Sequence, residues 1–140
     1  MAGYSGTPLG KKLGLKDGMR AMLLGVPEHL TEIGDFPGFA GMDRAVPSEA
    51  ARVYDYMHVF ETERIRLQEL LPAIRASLKA DGILWISWPK KASKVPTTIT
   101  EDVLRDIFLP TGLVDVKVAA VDEVWSGLKF MFRKEIRGSL

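Results

Sequence analysis

Apolar residues along this chain fall into short runs that are bounded by turn residues. The first run is Met19–Val26, which lies between Gly18 and Pro27. Two later runs, Val53–Phe60 and Ile83–Trp88, are rich in valine, isoleucine and aromatic side chains. Short apolar runs of this kind are typical of strands buried in a sheet. The pattern therefore predicts three buried strands, and we expect the third to be central and covered on both faces.

The segment Glu61–Ala80 has the periodicity of a helix that packs one face on a sheet. Thr62 is the predicted N-cap of this helix, and Gly82 is the residue predicted to stop it. Because Pro72 lacks a backbone donor, we expect the helix to kink or split at that residue. The apolar stripe consists of Leu67, Leu70, Leu71, Ile74 and Leu78.

A second helix is predicted to follow the third strand and to stop before Pro110 and Gly112. Thr98 and Glu101 have the spacing of a capping box, and Thr100 is the alternative N-cap. The residues predicted to face inward are Val103, Leu104, Ile107 and Phe108.

The end of the chain predicts two further strands. In Val114–Val121 apolar residues alternate with Asp115 and Lys117, so one face is expected to be more polar. The segment Asp122–Gly127 is a connection of hairpin length, and Leu128–Lys134 follows it. Because so short a connection excludes a parallel crossover, these two strands must be antiparallel. Alternating strands and helices with a closing hairpin predict an α/β sheet with helices on its faces.

The remaining segments predict mostly irregular structure. Residues 1–18 are rich in glycine and are interpreted as an N-terminal arm before a single α/β domain at 19–140. The segment Glu28–Ile33 predicts one or two helical turns, and 34–47 predicts a loop, with Ser48 as a candidate turn cap. The residues expected to pin the arm to the domain are Leu9, Leu13 and Leu15.

Length and composition narrow the classes of function. The 140 residues suffice for one domain, and 46% hydrophobic with 26% charged residues is typical of a globular protein. The net charge of +1 gives no general attraction to nucleic acid or membranes. The lack of cysteine excludes disulfides, thiolate metal sites and a cysteine nucleophile. We find no apolar run typical of a signal peptide or a membrane span. We therefore expect a cytoplasmic protein without nucleic-acid or membrane partners.

Several stretches resemble class I S-adenosylmethionine-dependent methyltransferases. The stretch LGLKDGMRAMLLGV is similar to their first strand, and ELLPAIRASLKADGILWISWP is similar to a helix and strand in the second half of that fold. The stretches YSGTPLGKKLG, WPKKAS and VDEVWSGLKF resemble a family of small bacterial proteins of unassigned function. The resemblance implies a single Rossmann-like, methyltransferase-like domain. Its mostly parallel sheet would have about five strands and end in an antiparallel hairpin, with the last strand between the third and fourth.

The turn after the first strand departs from the methyltransferase pattern. Those enzymes have a glycine-rich turn at this place, whereas this chain has Gly25, Val26 and Pro27, and Pro27 has no N–H to donate. Their second strand, which ends in an acidic residue that holds the ribose, is predicted to be missing, because the segment before Val53 is short. Gly25 and His29 are left as cofactor-binding candidates, and we expect no cofactor.

A basic, hydroxyl-rich loop follows the third predicted strand. By position it lies beyond the carboxyl end of that strand, where open α/β sheets bind ligands. It also leads into a helix N-terminus, which favours anions. We predict a small anionic ligand at this loop, and a solvated basic loop is the alternative. The candidate ligand-binding residues are Lys90, Lys91, Ser93, Lys94, Thr97, Thr98 and Thr100.

Other polar residues are weaker candidates. Glu28, His29 and Glu32 offer metal ligands within one turn, but a metal site needs three or four ligands in good geometry, so a surface turn is favoured. His58 is predicted to be a partly buried core or interface residue that is hydrogen-bonded, rather than a general base. Trp125 is predicted to cover the sheet edge. We therefore predict no catalytic residue and no metal.

Three hypotheses for the function follow. The first is a non-catalytic binding or regulatory domain that holds a small anionic ligand at residues 88–100. The second is a reduced S-adenosylmethionine-dependent methyltransferase. The third is a structural or interaction module that acts through a homodimer, for which an apolar edge strand is suited. We favour the first, and so we lean against an enzyme.

Overall fold

A computed structural model describes residues 8–47 and 51–140. Strands and helices alternate through this part of the chain until a closing hairpin. The strands are β1 (Arg20–Leu24), β2 (Gly41–Asp43), β3 (Tyr54–Phe60), β4 (Leu78–Pro89), β5 (Leu113–Ala120) and β6 (Trp125–Phe132). The helices are α1 (Leu9–Leu13), α2 (Thr31–Gly34), α3 (Arg64–Ser77), α4 (Glu101–Phe108) and α5 (Lys134–Arg137), with 3-10 turns at Lys91–Ser93 and Leu109–Thr111.

The strands of the described residues form one mixed sheet in the order β2-β1-β3-β4-β6-β5. The strand β1 pairs in parallel with β2 and β3, and β3 pairs in parallel with β4. The last strand, β6, is antiparallel to both β4 and β5 and lies between them. The predicted α/β sheet with a closing hairpin, and the predicted position of the last strand, are confirmed.

The sheet has one strand more than the predicted number of about five. This additional strand, β2, lies in the segment that was predicted to be a loop. It has only three residues, and it pairs with β1 through Arg20 opposite Gly41 and Met22 opposite Asp43. The prediction that this strand is missing is therefore wrong, because a short remnant of it persists. The predicted cap at Ser48 lies outside the described residues.

The helix predicted to reach Ala80 ends earlier, and its last residues extend β4 instead. Leu78 pairs with Tyr54 of β3, and the Arg52 guanidinium donates to the Leu78 carbonyl at 3.0 Å. Gly82, which was predicted to stop the helix, lies inside β4, where a Cβ atom would be 2.7 Å from Leu78 Cδ1. Strand pairing rather than a glycine therefore ends α3.

The start of α3 is also capped differently from the prediction. Thr62 does not cap the helix; instead, the Glu61 carboxylate accepts hydrogen bonds from the amides of Thr62 at 2.9 Å and Glu63 at 3.0 Å. The Thr98 hydroxyl accepts a bond from the Arg64 amide at 2.6 Å. The basic loop is thereby fastened to the start of α3.

Two other helix predictions have clear outcomes. The helix α3 continues through Pro72 and is not split there. Of the two candidate caps for α4, Thr100 is the N-cap, and its hydroxyl accepts a bond from the Val103 amide at 3.2 Å. The capping-box interpretation of Thr98 is therefore wrong.

The core has one cluster on each face of the sheet. The helices α3 and α4 cover the first, which includes Leu67, Ile74, Leu104 and Phe108. The helix α1 covers the second, where Leu9, Leu13 and Trp85 are buried and Leu15 packs against them. The prediction that these leucines pin the arm is confirmed, although α1 makes part of that arm helical. No helix of the described residues is long and apolar enough to cross a membrane.

Candidate ligand sites at the carboxyl edge of the sheet

The strand order reverses at β1, because β2 lies on one side of β1 and β3 on the other. In open α/β sheets, ligands bind outside the carboxyl ends of the strands at such a switch point. A cavity of about 430 Å³, the switch-point crevice, lies at the ends of β1 and β3. It is lined by Leu24, Gly25, Arg44, Ala45, Val46, Val59, Phe60, Glu61, Arg66 and Leu70.

Gly25 is the first residue after β1 and allows the ends of β1 and β3 to approach each other closely. Its φ of 69° lies in the left-handed region that favours glycine. A Cβ atom at this position would be 2.6 Å from the Phe60 carbonyl oxygen. The space that a bare glycine leaves is thus already filled by the chain itself.

Asp43, the acidic residue of β2, is hydrogen-bonded to a neighbouring side chain. The Tyr54 hydroxyl donates to Asp43 Oδ2 at 2.6 Å, and Arg20 Nη2 lies 3.5 Å from the same oxygen. Burial, together with this hydrogen bond, raises the pKa of Tyr54 to about 12. These three residues line a separate cavity of about 600 Å³ beside the sheet edge. Asp43 therefore does not line the switch-point crevice.

The charged residues of the switch-point crevice are paired with one another or with the backbone. Arg66 Nε lies 3.0 Å from Glu61 Oε1, while Glu61 Oε2 accepts the two amides before α3. Arg44 Nη2 donates to the Gly34 carbonyl at 3.1 Å. The crevice therefore brings two arginines and one glutamate together, and each has a partner within the protein.

A second cavity, of about 610 Å³, lies where the sequence predicted a ligand. This basic-loop cavity is enclosed by the end of β4, the loop that follows it, the start of α4 and the start of β6. It is lined by Trp88, Pro89, Lys90, Lys91, Lys94, Val95, Pro96, Thr97, Ile99, Thr100, Glu101 and Ser126. Of the predicted ligand residues, Ser93 and Thr98 lie outside this lining.

The lysines of the basic-loop cavity have no acidic partners. Within residues 8–47 and 51–140, the ammonium groups of Lys90, Lys91 and Lys94 form no ion pair. The carboxylate in the lining, that of Glu101, is already paired with Arg105 Nη2 at 3.0 Å. The positive charge of the loop is therefore left for solvent or a ligand.

Lys94 also has an unusual backbone conformation. Its φ is 62°, and among the described residues no other non-glycine residue has a positive φ. A lysine in the left-handed region costs roughly 1 kcal/mol that a glycine would not cost. This position therefore keeps a cationic side chain at an expense to stability.

His29, a predicted cofactor candidate, is instead paired with an acid that the sequence did not point to. Its Nε2 lies 2.8 Å from Asp122 Oδ2, which joins the loop after β1 to the β5–β6 connection. Burial raises the pKa of Asp122, but bonds from the Trp125 amide, His29 and the Val124 amide outweigh it and lower the pKa. The described residues contain no group of three histidine, cysteine, aspartate or glutamate residues that could hold a metal.

His58 lies in the core, as predicted, within a buried hydrogen-bonded row. Its Nδ1 is 2.9 Å from the Tyr56 hydroxyl, and its Nε2 is 2.7 Å from the Ser87 hydroxyl. Burial lowers the pKa of His58 to about 3, so the ring is neutral at physiological pH. Beside it, Trp125 packs edge-on against Phe60 with ring centroids 5.2 Å apart. These residues join the ends of β3, β4 and β6 within the core cluster that α1 covers.

Comparison with known proteins finds no matching family model and no matching curated relative. Solved structures, however, are similar. A SAM-dependent methyltransferase from Aquifex aeolicus aligns over 88% of this chain and 87% of its own, with 15% identity and a TM-score of 0.63. A TehB-like SAM-dependent methyltransferase from Corynebacterium glutamicum aligns over 88% and 85%, with 13% identity and a TM-score of 0.54. Magnesium protoporphyrin IX methyltransferase from Synechocystis aligns over 89% and 78%, with 10% identity and a TM-score of 0.56.

These likenesses establish the fold but, at such low identity, not the activity. The resemblance seen in the sequence is confirmed at that level. The chain has a shortened class I methyltransferase-like fold, with β2 reduced to a short edge strand.

Proposed function

We propose that this protein is a binding or regulatory domain that holds a small anionic ligand in the basic-loop cavity. One observation carries the proposal: Lys90, Lys91 and Lys94 surround a single cavity and have no ion pair among the described residues. The start of α4 also lines this cavity, and the first turn of a helix attracts negative charge. The lysines and the helix end would both attract a carboxylate, sulfate or phosphate group, while the Glu101 carboxylate of the lining is paired with Arg105.

A reduced S-adenosylmethionine-dependent methyltransferase is the second candidate. The structural comparisons favour this candidate over a non-catalytic domain, because the similar structures are methyltransferases by name. The switch-point crevice also lies where the fold would place a nucleoside cofactor. The residues that line the crevice must therefore be tested against that cofactor.

The residues of the crevice do not fit S-adenosylmethionine in the way the family binds it. The Phe60 carbonyl fills the space beside Gly25, and Pro27 offers no N–H to a ligand. The acidic residue Asp43 is bonded to Tyr54 and faces another cavity. The two arginines and one glutamate of the crevice also leave it with a net positive charge, which disfavours the sulfonium group. We therefore derive no methyl transfer from this site.

One binding panel separates the two candidates. The protein is heated with sulfate, phosphate or S-adenosylmethionine at constant ionic strength, and its unfolding temperature is recorded. A ligand at 100 times its Kd adds about 2.7 kcal/mol to the free energy of unfolding. We expect the anions to stabilise the protein and S-adenosylmethionine to have no effect. Stabilisation by S-adenosylmethionine alone would instead support the methyltransferase candidate.

A pair of matched variants locates the anion. The double variant Lys90→Ala/Lys91→Ala removes two cations from the cavity and is expected to lose the stabilisation by anions. The control Lys11→Ala/Lys134→Ala removes the same charge from exposed lysines outside the cavity lining and is expected to keep it. If both double variants lose the effect equally, the anions act on net charge and the proposed site is rejected.

A homodimer is a separate proposal that concerns the outer edge of the sheet. Val114, Val116 and Val118 of the edge strand β5 are exposed, and an apolar edge invites a partner strand. Light scattering across a concentration series tests it, and a monomer at all concentrations would reject it. The cytoplasmic location and the lack of nucleic-acid or membrane partners remain predictions.

A further inference from the structure

We infer that the ligand of the basic-loop cavity is an amphiphilic anion, in which the anionic group is joined to an aromatic or aliphatic body. The inference rests on the proposed function, because it specifies what occupies the same cavity. It follows from two observations: most hydroxyls of the loop already make hydrogen bonds within the chain, and much of the cavity lining is apolar.

Two hydroxyls that were predicted to donate hydrogen bonds to a ligand donate them to backbone carbonyls instead. The Ser93 hydroxyl donates to the Lys90 carbonyl at 2.7 Å. The Thr97 hydroxyl donates to the Thr62 carbonyl at 2.7 Å, which holds the loop against the start of α3. A hydroxyl has only one proton to donate, so neither side chain can also donate to an anion.

The other two predicted threonines are also engaged. The Thr98 hydroxyl accepts from the Arg64 amide and lies outside the cavity lining. The Thr100 hydroxyl accepts from the Val103 amide, which leaves its proton free, and it does line the cavity. Thr100 and Ser126 are thus the hydroxyls of the lining whose protons have no acceptor among the described residues.

The rest of the polar recognition falls to the lysines, of which Lys91 and Lys94 are exposed. Attraction to exposed ammonium groups is weak, because water and salt screen it. A bare phosphate or sulfate would therefore remain largely hydrated at this site. A ligand that binds well must gain free energy from another source.

An apolar wall offers that source. Trp88 and Ile99 are buried and line the cavity, and Val95, which is 39% exposed, lines it with Pro89 and Pro96. Covering such a surface with an aromatic or aliphatic group removes apolar area from water on both partners. The lysines would hold the anionic head of the ligand while its body lies on this wall.

Isothermal titration with phenyl phosphate and methyl phosphate tests the inference, since the two share one head group. At equal ionic strength we expect phenyl phosphate to bind at least about tenfold more tightly, as burial of one aromatic ring predicts. Equal affinities would overturn the inference but leave the anion site in place. If neither phosphate binds in the millimolar range, both the inference and the proposed function are overturned.

Two valine variants show whether the preference arises at this wall. Val95→Ser replaces an exposed apolar side chain of the cavity, so it should reduce the preference for phenyl phosphate severalfold while binding of methyl phosphate stays the same. Val118→Ser is the control, because Val118 is 47% exposed on β5 and does not line the cavity. An undiminished preference in Val95→Ser, or an equal loss in both variants, would overturn the inference.

Discussion

The switch-point crevice and the basic-loop cavity lie at the same edge of one sheet, but their charged side chains are paired differently. In the crevice, Glu61 and Arg66 bind each other, and Arg44 binds a backbone carbonyl. In the basic-loop cavity, Lys90, Lys91 and Lys94 bind no acid among the described residues. Where the fold would hold a cofactor, the charged groups are thus already paired within the protein, whereas a neighbouring loop offers unpaired charge.

This difference shows that the fold alone does not determine where a ligand binds. The strand order and the closing hairpin are those of a methyltransferase-like fold, and they place a crevice at the switch point. Whether a ligand binds there depends on groups that still lack partners, and these lie one strand further along the sheet. The fold supplies a cavity at the switch point, but the fold alone does not fix where a ligand binds.

The largest expected effect concerns a buried group that neither cavity uses. His58 is bonded to Ser87 and so joins β3 to β4 in the core. Its pKa is about 3 in the folded protein, against about 6.5 in the unfolded chain. Between these values the unfolded chain binds more protons, so stability is full above pH 6.5 and falls as the pH decreases towards 3. The total loss, reached near pH 3, is roughly 4–5 kcal/mol.

Urea unfolding between pH 7 and pH 4.5 measures about 3 kcal/mol of this loss, with His58→Gln as the control. The variant cannot take up a proton in this range, so its stability, although lower throughout, should fall less steeply than that of the natural protein. Asp55 and Asp122 also have lowered pKa values, but their contributions are lost only at more acid pH. Parallel pH profiles for the two proteins would show that His58 is not the buried neutral group described above.

Much of the sheet could be predicted because the local sequence pattern of each buried strand indicates a strand. The runs that became β1, β3 and β4 are mostly apolar, and turn residues bound the first and the third of them. The strand β2 could not be predicted, since Gly41–Asp43 has too few residues to show any period. The early end of α3 depends on the pairing of Leu78 with Tyr54, which no local pattern reveals.

The candidate site was predictable in position but not in its hydrogen bonds. The three lysines of the loop follow a strand directly, so their place at the carboxyl edge could be inferred from sequence order. The roles of Thr97 and Thr98 could not, because their partners lie 35 and 34 residues away in the chain. The pairing of His29 with Asp122 spans 93 residues, and only the folded structure brings them together.

A second prediction concerns Gly25, which we expect to be required by the fold rather than by a ligand. Gly25→Ala should destabilise the protein by roughly 2–3 kcal/mol, because alanine is strained at a φ of 69° and its Cβ would meet the Phe60 carbonyl. Gly138→Ala is the control, since Gly138 has a φ of −70° and open space around it. We expect this control to be neutral or slightly stabilising in urea unfolding.

If Gly25→Ala is as stable as the natural protein, the approach of β1 to β3 does not require glycine. The glycine would then be left without a structural reason, and a bound cofactor near it would again be the better explanation. Measuring S-adenosylmethionine binding to the same variant sharpens the comparison, because neither the natural protein nor the variant should bind it.

The smallest expected effect separates stability from binding at a single residue of the basic-loop cavity. Lys94→Gly removes a cation but relieves a backbone with a φ of 62°. Stability in urea should be unchanged or rise by up to about 1 kcal/mol, while affinity for phenyl phosphate falls about threefold. Lys91→Gly is the matched control: it removes a cation from the same cavity but places glycine in a 3-10 turn without a positive φ.

The control should therefore lose both affinity and stability, the latter by about 0.5–1 kcal/mol. Opposite changes in stability with similar losses of affinity would show that Lys94 is kept in a strained position for its charge. If Lys94→Gly is more stable and binds phenyl phosphate as tightly as before, the lysine contributes nothing at this site. The contrast between paired charges in the crevice and free charges in the cavity would then depend on Lys90 and Lys91 alone.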